Sequence, residues 1–111
     1  MKINEILSLL EASVVCGETD KVFEGVYVGD LLSRAMSRVE CDNMWITIMS
    51  NANVVAVATL TEPAAIILAE GVSLLEDALK GAKENGITVL STKLSAYEIS
   101  VRLHKALSEN A

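Results

Sequence analysis

Histidine, proline, tryptophan and phenylalanine each occur once in this 111-residue sequence, and cysteine occurs twice. Each scarcity removes a class of chemistry. A Ser-His-Asp hydrolase needs an imidazole base. The single histidine, His104, falls near the end of the last predicted helix, a surface position. Cys16 and Cys41 lie far apart, without Cys-x-x-Cys spacing or clustered histidine, and are too few for a four-ligand zinc or iron–sulfur site within one chain. Free thiols are expected, and neither a metal nor an iron–sulfur cluster. A reactive thiol needs an electropositive setting; Cys16 ends an apolar run and Cys41 sits between Glu40 and Asp42. The six glycines are dispersed, so there is no Gly-x-x-x-x-Gly-Lys-Ser/Thr phosphate loop. The nearest approach to Gly-x-Gly-x-x-Gly, Gly25 and Gly29, has the wrong spacing. No apolar run reaches the roughly 18 residues of a membrane span, and Met1-Lys2-Ile3-Asn4-Glu5 does not read as a secretory signal. A cytoplasmic protein is expected.

Hydrophobic residues, at 51%, are plentiful. That is enough for one domain over residues 1–111 to bury a core unaided by disulfides. Fifteen carboxylates against nine Lys and Arg give a net charge of −6, a field that repels phosphate backbones and anionic membranes. Neither nucleic acid nor membrane is expected as a partner.

The apolar residues fall into short runs with a clear order. Ile3, Ile6, Leu7 and Leu10 carry the i, i+3, i+4, i+7 spacing of a helix over residues 2–11. Val14-Val15-Cys16 predicts a short strand, and Val26–Val28 a second. Asp30 is placed to cap a helix from Leu31 to about Val39 that buries Leu31, Leu32, Ala35, Met36 and Val39. Met44–Met49 is a continuous apolar strand suited to burial on both faces, with Trp45 in a packing role. Val54–Leu60 is rich in β-branched valine, but the alternation along the chain asks for a crossover helix there, ended by Pro63. Ala64–Ala69 predicts a further strand. Ser73 with Glu76 reads as a capping box opening a helix whose inner face is Leu74, Leu75, Ala78, Leu79 and Ala82, closed by Asn85-Gly86. Ile87–Leu90 is the last strand. A helix from Leu94 or Ser95 to Leu107 follows, with Ser108–Ala111 expected to fray. Four strand–helix alternations with short links predict an α/β fold: a mainly parallel central sheet with helices on both faces.

In such sheets ligands sit beyond the carboxyl ends of the strands, where helix N-termini point. That rim would collect Gly29, Asp30, Ser50, Asn51, Asn53, Glu70, Gly71, Ser91, Thr92 and Lys93. The candidate ligand-binding set is Gly29, Asp30, Ser50, Asn51, Asn53, Gly71, Ser91 and Thr92, suited to a small polar or phosphate-bearing ligand. Each is also an ordinary cap or turn residue. No catalytic residue is assigned.

Glu24-Gly25-Val26-Tyr27-Val28-Gly29-Asp30-Leu31-Leu32-Ser33 resembles the segment Thr-Gly-Gly-Tyr-Val-Ser-Asp-Leu-Leu-Ser of DRTGG-domain proteins. The resemblance continues through Trp45–Ile48, Asn53–Ala58, Leu90-Ser91-Thr92 and Ser95–Glu98, in matching order over nearly the whole chain. At the signature itself Asp20 and Lys21 stand for Asp-Arg, Glu24 replaces Thr, Gly25 is kept and Val26 replaces the second Gly. The resemblance implies a compact α/β module like the amino-terminal domain of HPr kinase/phosphorylase and the DRTGG segment of CBS-containing regulatory pyrophosphatases. It further implies a non-catalytic regulatory or assembly role, with homodimerisation. An alternative follows from stand-alone members: an accessory or redox-associated part of an iron-hydrogenase-type system, with a protein partner there.

Overall fold

A computed structural model describes residues 1–109. Its strands are β1 (Ser13–Cys16), β2 (Val26–Val28), β3 (Met44–Thr47), β4 (Ala65–Leu68) and β5 (Val89–Ser91). Its helices are α1 (Leu32–Arg38), α2 (Ala52–Thr61), α3 (Glu76–Glu84) and α4 (Ala96–Glu109). The strands form one sheet in the order β1-β5-β4-β3-β2. The pairs β2–β3, β3–β4 and β4–β5 are parallel, and β1 joins β5 antiparallel. The mainly parallel sheet read from the sequence is therefore present, with one antiparallel edge.

Strand alternation divides the core into two layers. Met44 and Ile46 of β3, Ala65 and Ile67 of β4 and Leu90 of β5 face one side, against Ile3, Ile6, Leu10 and Phe23 and against Ile99 and Leu103 of α4. Trp45, Ile66, Leu68 and Val89 face the other, beneath Ala35 of α1, Val54, Val55, Val57 and Ala58 of α2, and Ala78 and Ala82 of α3. The register Met44–Ala65, Trp45–Ile66, Ile46–Ile67 keeps like faces together across the sheet. A slip of one residue would turn every one of these side chains to the wrong layer.

Several local expectations are corrected. Residues 2–11 do not form a regular helix: Ile3–Glu5 is one 3₁₀ turn, followed by irregular turns. Tertiary backbone bonds hold its start, since Ile3 N donates to Lys21 O at 2.9 Å, Asn4 N to Thr19 O at 3.0 Å and Phe23 N to Met1 O at 3.0 Å. The apolar spacing still buries Ile3, Ile6 and Leu10. In α1 only Ala35 and the following Val39 are buried, while Leu31 and Met36 are 63% and 52% exposed. The capping box at Ser73 does not form, because α3 starts at Glu76 behind an extended Leu75 that makes no side-chain cap. The equivalent pair forms one helix later: Glu98 N donates to Ser95 Oγ at 3.2 Å, and Ser95 Oγ lies 3.3 Å from Glu98 Oε1.

Other expectations hold. α2 is helical despite its valines, because three of them enter the core, and Asn51 caps it by accepting from Asn53 N at 3.0 Å. Pro63 disfavours the right-handed helical conformation at Glu62, which takes φ +54° and ends the helix. Gly86, at φ +66°, follows α3 in the left-handed region that glycine enters at little cost. The fraying expected at Ser108–Ala111 is not seen at Ser108 and Glu109, which are helical; Asn110 and Ala111 lie outside the described residues. Among the described residues no helix is long and apolar enough to cross a membrane.

Candidate functional site at the strand-end rim

Parallel strands with crossover helices bring the exits of β2, β3, β4 and β5 to one rim, and the antiparallel β1 brings its start there as well. The structure splits the predicted residues of this rim into two groups and a remainder. The first group lies at the β2–β3 end. Asp30 Oδ1 accepts from Thr47 Oγ1 at 2.7 Å and from Ile48 N at 2.9 Å, and Thr47 Oγ1 accepts in turn from Met49 N at 3.2 Å. Asp30 therefore does not cap α1, whose N-cap is Leu31 with no side-chain bond; it clamps the exits of two strands together. Gly29 has both backbone groups engaged, N to Ile46 O at 3.2 Å and O from Trp45 Nε1 at 3.1 Å. A Cβ on Gly29 would stand 2.9 Å from the Tyr27 ring. These residues hold structure.

The second group is a cavity of about 300 Å³ lined by Glu11, Ser13, Gly71, Ser91, Thr92, Lys93 and Leu94. It gathers three of the predicted residues, Gly71, Ser91 and Thr92. The turn after β4 shapes one wall: Glu70 and Gly71 both have positive φ, and their amides donate to Leu94 O and Thr92 O, each at 2.9 Å. Thr92 is buried and committed, donating to Leu10 O at 2.7 Å and accepting from Leu94 N at 3.2 Å. Ser91 Oγ has only a long contact, 3.5 Å to Val72 O, so its hydroxyl can turn to a ligand. Ser13 and Lys93 are exposed on the same cavity. Arg102 donates to Glu11 Oε2 at 3.0 Å and to Leu9 O at 2.8 Å, which offsets the one carboxylate among the lining residues. Lys93 then stands as the remaining charge among the lining residues, three positions before α4. Hydroxyls, one ammonium and no histidine or cysteine suit this lining to holding a small polar or anionic group rather than to acid–base or nucleophilic work.

The remaining predicted residues stay outside both groups. Asn51 and Asn53 make the α2 cap, and the Ser50 carbonyl accepts from Leu75 N at 2.9 Å. Glu11, Ser13 and Leu94 were missed by the sequence reading; the signal lay in the short strand after residue 12, whose antiparallel docking brings its start to the rim.

A second cavity, about 360 Å³, opens at the opposite end of the sheet and includes Lys21, Cys41, Asp42 and Glu62. The Cys41 thiol is raised above its ordinary pKa, first by partial loss of hydration and then by the charges of Asp42 and Glu62. Burial likewise raises the Cys16 thiol, whose Sγ donates to Ile87 O at 3.4 Å. Among the described residues, no three His, Cys, Asp or Glu side chains are grouped so as to hold a metal ion. Trp45 is fully buried between β3 and the helices, in the packing role read from the sequence.

This architecture has a counterpart among solved structures. The crystal structure of the CBS and DRTGG domains of the regulatory region of Clostridium perfringens pyrophosphatase, complexed with its activator diadenosine tetraphosphate, superposes with a TM-score of 0.70 at 19% identity. The match covers 88% of this chain and 44% of that one, so the chain spans less than half of the neighbour's length. Among curated proteins no sequence matches this chain. The model of the DRTGG domain matches residues 5–106, nearly the whole sequence, and the chain therefore belongs to the DRTGG-domain family.

Proposed function

We propose that this DRTGG domain is a non-catalytic regulatory or assembly module of the cytoplasm, a homodimer that takes a small polar or phosphate-bearing ligand at the strand-end rim. The regulatory part is supported by family membership and by the neighbour, whose DRTGG domain belongs to the regulatory region of an enzyme. The ligand part is carried by one observation: Gly71, Ser91, Thr92 and Lys93 converge on one cavity, whereas Gly29 and Asp30 are engaged in bonds that join β2 to β3 and Asn51 caps α2. The activator named for the pyrophosphatase belongs to a chain more than twice the matched length and is not transferred to this one. Neither nucleic acid nor membrane enters the proposal, since the net charge of −6 repels both. A part in an iron-hydrogenase-type system rests on resemblance alone.

Thermal-shift titration with inorganic phosphate, nucleoside phosphates and sugar phosphates tests the ligand. At least one of these should raise the melting temperature. Lys93→Ala and Ser91→Ala should each remove most of that rise, and Asn51→Ala should leave it intact. Were none to shift the wild-type protein, the ligand part would fall and assembly alone would remain.

A further inference from the structure

Glu11 stands where the backbone favours glycine. Its φ of +51° lies in the left-handed region, which any side chain beyond glycine makes costly. Bonds on both sides hold the turn: Glu11 N donates to Ser8 O at 3.1 Å, Ala12 N to Leu7 O at 2.9 Å and Thr92 Oγ1 to Leu10 O at 2.7 Å. Among the described residues the one partner of its carboxylate is Arg102, which reaches Oε2 at 3.0 Å. That pair is open to water, with the Arg102 and Glu11 side chains 36% and 65% accessible, and exposed ion pairs add little stability. Folding therefore does not account for a carboxylate at this position.

Its place on the rim cavity does. Ser13 and Ser91 are direct partners across the β1–β5 pair, so their side chains lie together. Two residues outward from that pair, one chain carries Glu11 and the other Lys93, and all four residues line the same cavity of about 300 Å³. We infer that this cavity takes the monophosphate of a polyol, a sugar phosphate, with Lys93 on the phosphate and Glu11 accepting from the hydroxyls. The inference rests on the rim ligand proposed above and names its class. Lys93 is the one cation among the described lining residues, which matches a single phosphate monoester better than a chain of phosphates. Arg102 already offsets the charge of Glu11, so Oε1 suits a neutral hydroxyl rather than a second cation, as acidic residues hold ribose hydroxyls in dinucleotide-binding folds. None of the described lining residues is aromatic and Leu94 is the single large apolar one, so a nucleobase finds no ring to stack on. The space over Gly71 is open, since a Cβ there would meet nothing within 4 Å, and a ligand can come up against the backbone.

Isothermal titration calorimetry of the full chain with methyl phosphate, the monophosphates of glycerol, ribose and glucose, AMP and ATP tests the assignment. At least one polyol phosphate should bind about tenfold or more tighter than methyl phosphate, a monoester with no hydroxyl. Glu11→Gly, which suits the left-handed backbone and should leave the circular dichroism unchanged, should remove most of that preference while methyl phosphate binds at least as well as before. A polyol phosphate that binds no tighter than methyl phosphate in every case, or a preference that survives Glu11→Gly, would overturn the assignment and leave a phosphate group at the rim standing. AMP or ATP binding tighter than every polyol phosphate would overturn it as well. Were none of these compounds to bind, the rim ligand itself would fall and this assignment with it.

Discussion

Asp30 shows how one carboxylate can be read correctly for place and wrongly for duty. A Gly-Asp pair between a strand and a helical pattern is a good cap signal, but Thr47 and the Ile48 amide are nearer and bind it at 2.7 and 2.9 Å. Only the pairing of β2 with β3 reveals those partners, and that pairing is not written in any local window. Asp30→Ala should therefore cost about 1–2 kcal/mol in urea unfolding, Asp30→Asn less, and neither should alter a phosphate-induced thermal shift. The two thiols give a pH prediction. Both have raised pKa values, Cys16 by burial and Cys41 by lost hydration with Asp42 and Glu62 beside it. Alkylation by iodoacetamide near neutral pH should be slower at each than for a free cysteine, accelerating only in the alkaline range. Since the folded state holds the Cys16 proton more tightly than the unfolded chain does, stability linked to that group is present at lower pH. It is lost as pH rises through the folded thiol's pKa. A thiol that alkylates fastest at neutral pH would contradict this.

At the scale of elements, burial decided what propensity left open. The valines of α2 argue for a strand when taken alone, yet Val54, Val55 and Val57 lie against the sheet as helix residues because a parallel crossover requires a helix there. That much was legible from the order of elements. The N-terminal segment was not: its apolar spacing is helical, but backbone bonds to Thr19 and Lys21 hold it in turns, and a contact so distant in sequence leaves no periodic trace. Capping signals were also ambiguous, since Ser-x-x-Glu occurs at both Ser73 and Ser95, and only the second starts a helix at the right place. Ser95→Ala should destabilise the fold by about 1 kcal/mol, whereas Ser73→Ala should change it by less than about 0.5 kcal/mol. Leu75→Asp, which supplies a missing cap at an exposed N-cap position, should stabilise it by several tenths of a kcal/mol or more. Chemical denaturation of the three variants checks the ranking.

For the whole molecule, the direction of the strands is the fact on which the proposed function depends. Parallel β2 to β5 bring four strand exits to one rim, and the antiparallel β1 completes it with Glu11 and Ser13. Sequence alone placed the rim but not its division, because whether a rim residue faces a cavity or a neighbouring backbone group depends on pairing and turn geometry. Gly71, Ser91 and Thr92 meet in the cavity with Lys93; Gly29 and Asp30 join β2 to β3, Asn51 caps α2, and Ser50 and Asn53 lie outside the cavity lining. The most direct test of the account is a ¹⁵N correlation spectrum of the protein titrated with inorganic phosphate and with whichever phosphate-bearing compound raises its melting temperature. Perturbed amides should cluster at Ser13, Gly71 and Ser91–Leu94, saturate with ligand, and vanish in Lys93→Ala; saturable perturbations centred instead on Asn51 and Asn53, or none at all, would contradict it.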